Sequence, residues 1–224
     1  MKFKMVEQRL LPALFLLTLV TGIVDAVTFL GLGHVFAGNA TGNVLFLGFA
    51  LAGVPGISIA HSLISTGAFL AGSVLGGRLG VAMASTPHRW LCIATVFESI
   101  LLFLAALTAI GLEIGSTPPF SQPCAVILLT AVAMGFRNAT VRRLAVPDIT
   151  TTVLTLTISG IASDSSLASG TNLRMGRRIA SVCLMFCGAS VGILLVRHGL
   201  AFPLALCGVC TLAAAFMFSK AKIT

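Results

Sequence analysis

The chain has 224 residues, of which 57% are hydrophobic and only 9% are charged, and its mean hydropathy is +1.07. Soluble domains carry about 25% charged residues, so this composition excludes an ordinary soluble enzyme or binding module. The net charge of +8 does not indicate nucleic-acid binding, because the basic residues stand in small groups just outside apolar runs. That distribution is typical of topology determinants in a bilayer.

Six apolar runs approach the ~20 residues that cross a ~30 Å hydrocarbon layer. In chain order they are Leu10 to Leu30, Gly56 to Gly77, Leu91 to Leu112, Cys124 to Val141, Ile179 to Val196 and Leu200 to Phe218. These runs and their short connections occupy the chain, so residues 1–224 are predicted to form a single membrane domain.

Two shorter apolar stretches, residues 41–53 and 150–162, remain between the runs. A helix of this length rises only about 20 Å, and the positive-inside rule decides whether it crosses. If neither crosses, four arginines stay on the cytoplasmic side, whereas two crossings would move all four outside: Arg78, Arg89, Arg142 and Arg143. The predicted fold is all-α, with about six transmembrane helices, two short re-entrant or interfacial helices and both termini cytoplasmic.

The two halves of the chain resemble each other. Residues 22–26 (GIVDA) align with 135–139 (GFRNA), and residues 39–47 (NATGNVLFL) align with 148–156 (DITTTVLTL). A GxxxG pair follows in each half, at Gly72/Gly76 and at Gly188/Gly192. Each half holds three spans, an odd number, so a duplication over about 10–112 and 123–219 predicts a 3+3 inverted repeat, a recurrent transporter design.

Polar residues cluster ahead of both short stretches. They are Asn39, Thr41 and Asn43 in the first half and Asp148, Thr150, Thr151 and Thr152 in the second. Such side chains cap helix N-termini, and an N-terminus inside the membrane presents N–H donors and partial positive charge. Asn39, Thr41, Asn43, Asp148, Thr150 and Thr152 are therefore the predicted binding residues for a small polar or anionic solute. The alternative is that they only cap two interfacial helices.

Three charged residues lie inside predicted spans: Asp25, Glu98 and Arg137. A charge near the bilayer centre costs at least ~2.5 kcal/mol, so each needs a partner or a cavity. Glu98 and Arg137 lie at similar depth and are the preferred ion pair, which serves either transport or helix register. Asn138 occupies the repeat position of Asp25, which predicts related polar contacts in both halves.

The remaining motifs favour packing rather than chemistry. Gly72, Gly76, Gly188 and Gly192 allow close helix approach, either within the chain or between copies in a homo-oligomer. The six cysteines lie in or beside apolar runs, where free cysteine behaves as a small hydrophobe. No HExxH motif, phosphate-binding loop or useful carboxylate pair is present, so we predict no enzyme, metal or cofactor.

Two stretches carry a family resemblance. Residues 41–53 (TGNVLFLGFALAG), and residues 134–144 (MGFRNATVRRL) continuing through 147–157 (PDITTTVLTLT), resemble the signatures of YoaK-like bacterial inner-membrane proteins, a family of unknown function. The resemblance covers essentially the whole chain and implies a multi-pass protein of the bacterial inner membrane. The family pattern has glutamine where this chain has Arg137.

Two function classes follow from these features. The leading hypothesis is a transporter or channel that moves a small solute past the polar residues of the short helices. The alternative is a non-transporting membrane scaffold or partner-binding subunit that uses its glycine faces.

Overall fold

A computed structural model describes residues 2–115 and 119–221, with side chains described from residue 8 onwards. Within these ranges every regular element is helical. The helices are α1 (Lys2–Gly31), α2 (Ala40–Leu51), α3 (Ile59–Ala82), α4 (Pro87–Thr108), α5 (Ser121–Leu144), α6 (Thr155–Ser163), α7 (Met175–Val196) and α8 (Ala201–Lys220), with a 3₁₀ turn at Ser166–Ala168 between α6 and α7. The predicted all-α class is confirmed.

Six of the described helices are long and apolar enough to cross a membrane. They are residues Gln8–Gly31 of α1 together with α3, α4, α5, α7 and α8, and each has 20 to 24 residues. A helix of that length is about 30–36 Å long, which matches the hydrocarbon thickness. The predicted number of spans is confirmed.

Some helices begin at residues other than the first residue of the apolar run, because local capping interactions fix where the helix starts. The predicted run from Gly56 becomes helical only at Ile59, because the Ser58 side chain accepts the N–H of His61 at 3.3 Å and caps the helix there. α4 begins earlier than predicted, at Pro87, since proline suits the first turn of a helix.

The two short helices differ in how they begin. α2 starts as predicted, with the Asn39 side chain accepting the N–H of Gly42 at 3.3 Å. α6 starts at Thr155 without a side-chain cap, so the predicted capping role of Asp148, Thr150, Thr151 and Thr152 is wrong. The chain turns through this segment instead, with φ of 66° at Asp148 and 58° at Thr151.

The long helices pack in a definite pattern. α1 packs on α7 and α8, α5 packs on α3 and α4, and α4 packs on α8. Each short helix rests on the long helix that follows it, α2 on α3 and α6 on α7. The buried core lies mainly between α1, α4, α5 and α8, around residues such as Val24, Leu102, Ile127 and Leu204.

The four GxxxG glycines lie in the contacts between these helices. A Cβ on Gly72 or Gly76 would collide with the backbone of α5 at Val132 or Phe136, and one on Gly188 would collide with Leu19 of α1. A Cβ on Gly192 would lie 2.8 Å from the Cβ of Ala26. The glycine faces therefore hold helices of one chain together, which is the first of the two alternatives, within the chain or between copies, that the sequence leaves open.

Large apolar side chains cover much of the outside. Leu156 of α6 is 81% exposed and Leu51 of α2 is 69% exposed, and many similar residues lie on the long helices. Such a surface is stable only in contact with lipid. A bilayer environment follows for the long helices and for the apolar faces of both short ones.

Candidate functional site

A cavity of about 670 Å³ lies between α1, α2, α6 and α7, and we call it the main cavity. Its volume falls in the roughly 300–1,000 Å³ range of small-molecule sites. Its walls are mostly apolar, with five polar side chains among the lining residues: Asp25, Asn39, Thr41, Thr152 and Thr155. Residues from both halves of the chain therefore meet here.

The first turns of both short helices face the main cavity. Thr41 and Gly42 of α2 line it on one side, and Thr155 and Ile158 of α6 line it on another. A helix N-terminus carries roughly half a positive charge and up to four N–H groups without intrahelical partners. The cavity wall thus includes two ends rich in hydrogen-bond donors, each placed there by a helix too short to cross the membrane.

Asp25 joins the cavity to the segment before α2. Its Oδ1 accepts the N–H of Gly38 at 2.7 Å, while the half-buried carboxylate lines the cavity. A Cβ on Gly38 would lie 3.3 Å from Asp25 Oδ2 and 3.0 Å from Thr21, so the glycine permits this close approach. No basic side chain of the described residues forms an ion pair with Asp25.

Asn43 lies outside the main cavity. It is fully buried, and its Oδ1 accepts the N–H of Phe36 at 2.8 Å. Its Nδ2 donates to Phe36 O at 2.6 Å and to Ser65 Oγ at 2.9 Å. These bonds fasten the first turn of α2 to the preceding loop and to α3. Of the predicted solute residues in the first half, Asn39 and Thr41 line the cavity, whereas Asn43 supports its wall.

Thr152 stands between two cavities. It lines the main cavity, and its hydroxyl donates to Asn138 Oδ1 at 2.8 Å. Asn138 in turn lines a second cavity of about 430 Å³, together with Thr150 and Arg142. Val153 lines both cavities. The Thr152–Asn138 bond and the Val153 side chain therefore form part of the partition between the two spaces.

Asp148 belongs to a charged cluster at the start of α7. Arg178 Nε donates to Asp148 Oδ1 at 2.8 Å, and Arg174 lies 3.5 Å from Asp148 Oδ2. Arg178 also pairs with Asp164 at 2.7 Å and donates to the carbonyl oxygen of Gly160. The one guanidinium thus holds the segment before α6 and the end of α6 against α7. Asp148, predicted to bind solute, fixes the position of the helix instead.

Glu98 and Arg137 form the ion pair expected from the sequence. Both residues are 2% exposed. Arg137 also donates to Leu17 O at 2.7 Å and to Thr21 Oγ1 at 2.8 Å. The pair therefore ties α4 and α5 to α1, and neither residue lines the main cavity. A structural role in helix register explains these contacts fully.

Sequence reasoning missed two groups of residues. Arg178 carries no local signal of its role, because its partners Asp164 and Asp148 lie 14 and 30 residues away along the chain. The apolar cavity walls, including Phe29, Phe36 and Met185, carry no signal in sequence, because lipid-facing, core and cavity-lining residues have the same apolar composition.

α7 contains a serine motif that is found in hydrolases. Residues 188–192 read GASVG and fit the GxSxG pattern of hydrolases, which requires a sharp strand-to-helix turn at the serine. Ser190 instead lies within a continuous helix, and its hydroxyl donates to Phe186 O at 3.0 Å. The flanking glycines serve the contact with α1, so this match has a packing explanation.

Comparison with known proteins identifies one family. The DUF1275 family, described as proteins of unknown function, matches residues 13–217. The UPF0700 transmembrane protein YoaK of Bacillus subtilis (strain 168) is 30% identical over 154 residues, which cover 68% of this chain and 66% of that protein. The chain thus aligns with about two-thirds of the length of this relative, and no solved structure matches. With six apolar spans and a match over nearly all its length, this chain is a multi-pass membrane protein of the DUF1275 family.

Proposed function

We propose that this protein is a transporter that binds a small solute in the main cavity. One observation carries the proposal: the N-terminal turns of both short helices and the side chain of Asp25 line the same cavity. Polar groups are expensive at membrane depth and are normally kept there for a function. Interrupted helices whose ends face a central site are a recurrent feature of secondary transporters.

The depth of the cavity fits this role. On α7 its lining runs from Met185 to Ile193, within a helix that extends over Met175–Val196. Met185 lies seven residues beyond Arg178, which is about 10 Å along a helix. The lining therefore begins near the middle of α7, away from the charged cluster at its start.

The two cavities outline a path. A solute in the main cavity would reach the second cavity, beside Arg142, by passing Val153 and separating Thr152 from Asn138. We propose this partition as a gate. Its opening needs loss of one hydrogen bond and movement of a loop rather than of a membrane-spanning helix.

Packing of the two halves supports the proposed 3+3 inverted repeat. Gly22 of α1 packs on α7 at Met185, and its aligned partner Gly135 of α5 packs on α3 at Phe69. Each of these contacts lies beside the GxxxG pair of the other helix, at Gly188 or at Gly72. The α1–α7 interface therefore corresponds to the α5–α3 interface when the two halves are exchanged, as a duplication requires.

The orientation proposed from the positive-inside rule places both termini in the cytoplasm of a bacterial cell, with the protein in its inner membrane. It puts the charged cluster of α7 and the second cavity on the cytoplasmic side. The main cavity then lies in the middle and outer part of the membrane. The scaffold alternative loses its main support, because the glycine faces on which it rested are buried within the chain.

Accessibility of the main cavity from each side tests the proposal. All six native cysteines are replaced by alanine, and Thr155→Cys is introduced, because Thr155 lines the cavity but takes no part in the Thr152–Asn138 bond. A membrane-impermeant thiol reagent is then applied to right-side-out and inside-out vesicles. We expect the cysteine at this position to react from both faces.

Native Cys207, restored alone, is the matched control. It is fully buried between helices and should react from neither face. A transporter exposes its site alternately to both sides, whereas a scaffold has no reason to. Labelling of the Thr155→Cys variant from one face only, or from neither, would overturn the transport proposal.

A further inference from the structure

We infer that the ligand of the main cavity is an amphiphilic organic cation, with its charged group at Asp25 and its apolar body against the helix walls. This inference rests on the proposed function, because it takes the main cavity to be a ligand site. It goes further in naming the charge and the polarity of the ligand.

The positive charge of the ligand is inferred from the ionisable residues that line the cavity. Asp25 is the single ionisable side chain among the described residues that line the main cavity. Arg137, whose charge acts on Asp25, is already paired with Glu98. Arg142 borders the second cavity and is exposed, so water and lipid headgroups screen its charge. An anion would find no basic side chain in the main cavity, whereas a cation finds a carboxylate.

The helix N-termini oppose this preference only in part. At the α2 end, Asn39 accepts the N–H of Gly42, and Asp25 is fixed beside this end by accepting the N–H of Gly38. The α6 end has no side-chain cap and contributes about half a positive charge. The Asp25 carboxylate carries a full charge on a side chain that lines the cavity, whereas each helix end carries a partial charge that falls off within its first turn. Both helix ends still offer hydrogen-bond donors to a ligand.

The apolar body of the ligand is inferred from the other residues of the cavity wall. Phe29 and Phe36 line the cavity, and their rings stack with centroids 5.1 Å apart. Since their faces are stacked, the two rings offer the ligand chiefly apolar area, which aromatic side chains supply in large amount. The other walls are largely aliphatic, and a small strongly hydrated ion would lose its hydration shell there with little replacement.

The rim of the cavity faces lipid. Leu45, Ile158 and Ile193 line the cavity and are nevertheless 56%, 52% and 46% exposed. They lie on α2, α6 and α7, whose outer surfaces contact the bilayer. A ligand with an apolar body can therefore reach the cavity from within the membrane as well as from water.

Equilibrium binding of two ions of matched size and opposite charge tests the inference. Labelled tetraphenylphosphonium and labelled tetraphenylborate are each bound, in separate titrations, to the full-length protein in lipid nanodiscs, with empty nanodiscs subtracted. We expect the cation to bind at least about tenfold more tightly than the anion. We also expect Asp25→Asn to weaken cation binding about tenfold or more while leaving anion binding unchanged.

Glu113→Gln is the matched control, since it makes the same carboxylate-to-amide change at an exposed position in the loop after α4, outside the cavity. It should leave cation binding unchanged. Asp25→Asn should still fold, because the amide oxygen can accept the N–H of Gly38. If that variant fails to fold, the comparison of cation and anion on the wild-type protein decides the question by itself.

Equal binding of the two ions, or a cation affinity that Asp25→Asn leaves unaltered, would overturn the inference. Binding is measured without any flux, so the result is separate from the transport test. Cation binding that depends on Asp25 supports the ligand class even where the Thr155→Cys variant is labelled from one face only. If the Thr155→Cys variant is labelled from both faces but the protein shows no preference for the cation, the transport proposal is retained and the inferred ligand class is rejected.

Discussion

Thr152 donates a hydrogen bond of 2.8 Å to Asn138, and the two residues line different cavities. The bond joins α5 to the loop that precedes α6. If this contact is the gate of a transport path, weakening it should open the partition. The net contribution of one such hydrogen bond is about 1 kcal/mol, so the expected effects are modest but measurable.

Asn138→Ala should raise the rate at which a cysteine at position 155 is labelled from the cytoplasmic side. Loss of about 1 kcal/mol corresponds to roughly a fivefold increase in the open population. Leu156→Ala is the control, because Leu156 lines the second cavity, is 81% exposed and takes no part in the Thr152–Asn138 bond. An unchanged labelling rate in Asn138→Ala would remove the gate from the proposal.

Gly76→Ala should destabilise the protein, whereas Gly77→Ala should not. A Cβ at Gly76 would lie 2.7 Å from Phe136 O, but one at Gly77 meets no atom within 4 Å. Overpacking of this kind costs about 1–3 kcal/mol, and glycine-to-alanine in an unobstructed helix gains up to about 1 kcal/mol. Thermal unfolding in detergent would measure both, and equal midpoints would contradict the interlocked α3–α5 contact.

Glu98→Gln and Arg137→Gln should each destabilise the protein more than the two changes together. Removing one partner of a buried ion pair leaves an uncompensated charge and costs about 3–5 kcal/mol. The double variant replaces both charges by amides that can bond to each other. Additive losses in unfolding midpoint would show that the two residues act independently.

Arg178→Ala should loosen the segment that carries α6. Its guanidinium contacts Asp148 and Asp164, and hydrogen bonds between charged groups are stronger than those between neutral groups. Faster protease cleavage between α5 and α7 would report the change. Arg174→Ala should have a smaller effect, because Arg174 lies 3.5 Å from Asp148 and its side chain is 38% exposed. The reverse ranking would contradict the clamp.

Asn43→Ala should reduce stability, and Thr41→Val should not. Asn43 is buried with its amide bonded to Phe36 and Ser65, so its loss leaves buried groups unpaired at about 1–3 kcal/mol. Thr41 is exposed to the main cavity, and substitution there should change stability by no more than about 0.5 kcal/mol. A stable Asn43→Ala variant would return Asn43 to the set of candidate solute residues.

Part of the candidate site followed from the sequence because burial of charge and interruption of apolar runs are visible there. Glu98 and Arg137 were paired by depth alone, since each needs a partner in lipid. The polar residues ahead of the two short helices are the predicted solute residues: Asn39, Thr41, Asn43, Asp148, Thr150 and Thr152. Of these, Asn39, Thr41 and Thr152 line the main cavity.

The sequence by itself determined the membrane environment, the six spans and the presence of two short helices, because bilayer thickness sets a length that hydropathy records. Only the tertiary structure decided which polar residues face the cavity. Asp148 and Asn43 looked equivalent to their neighbours, but the partners that bury them, Arg178 and Ser65, lie 30 and 22 residues further along the chain. Local patterns carry no record of such contacts, since helix packing alone brings those side chains together.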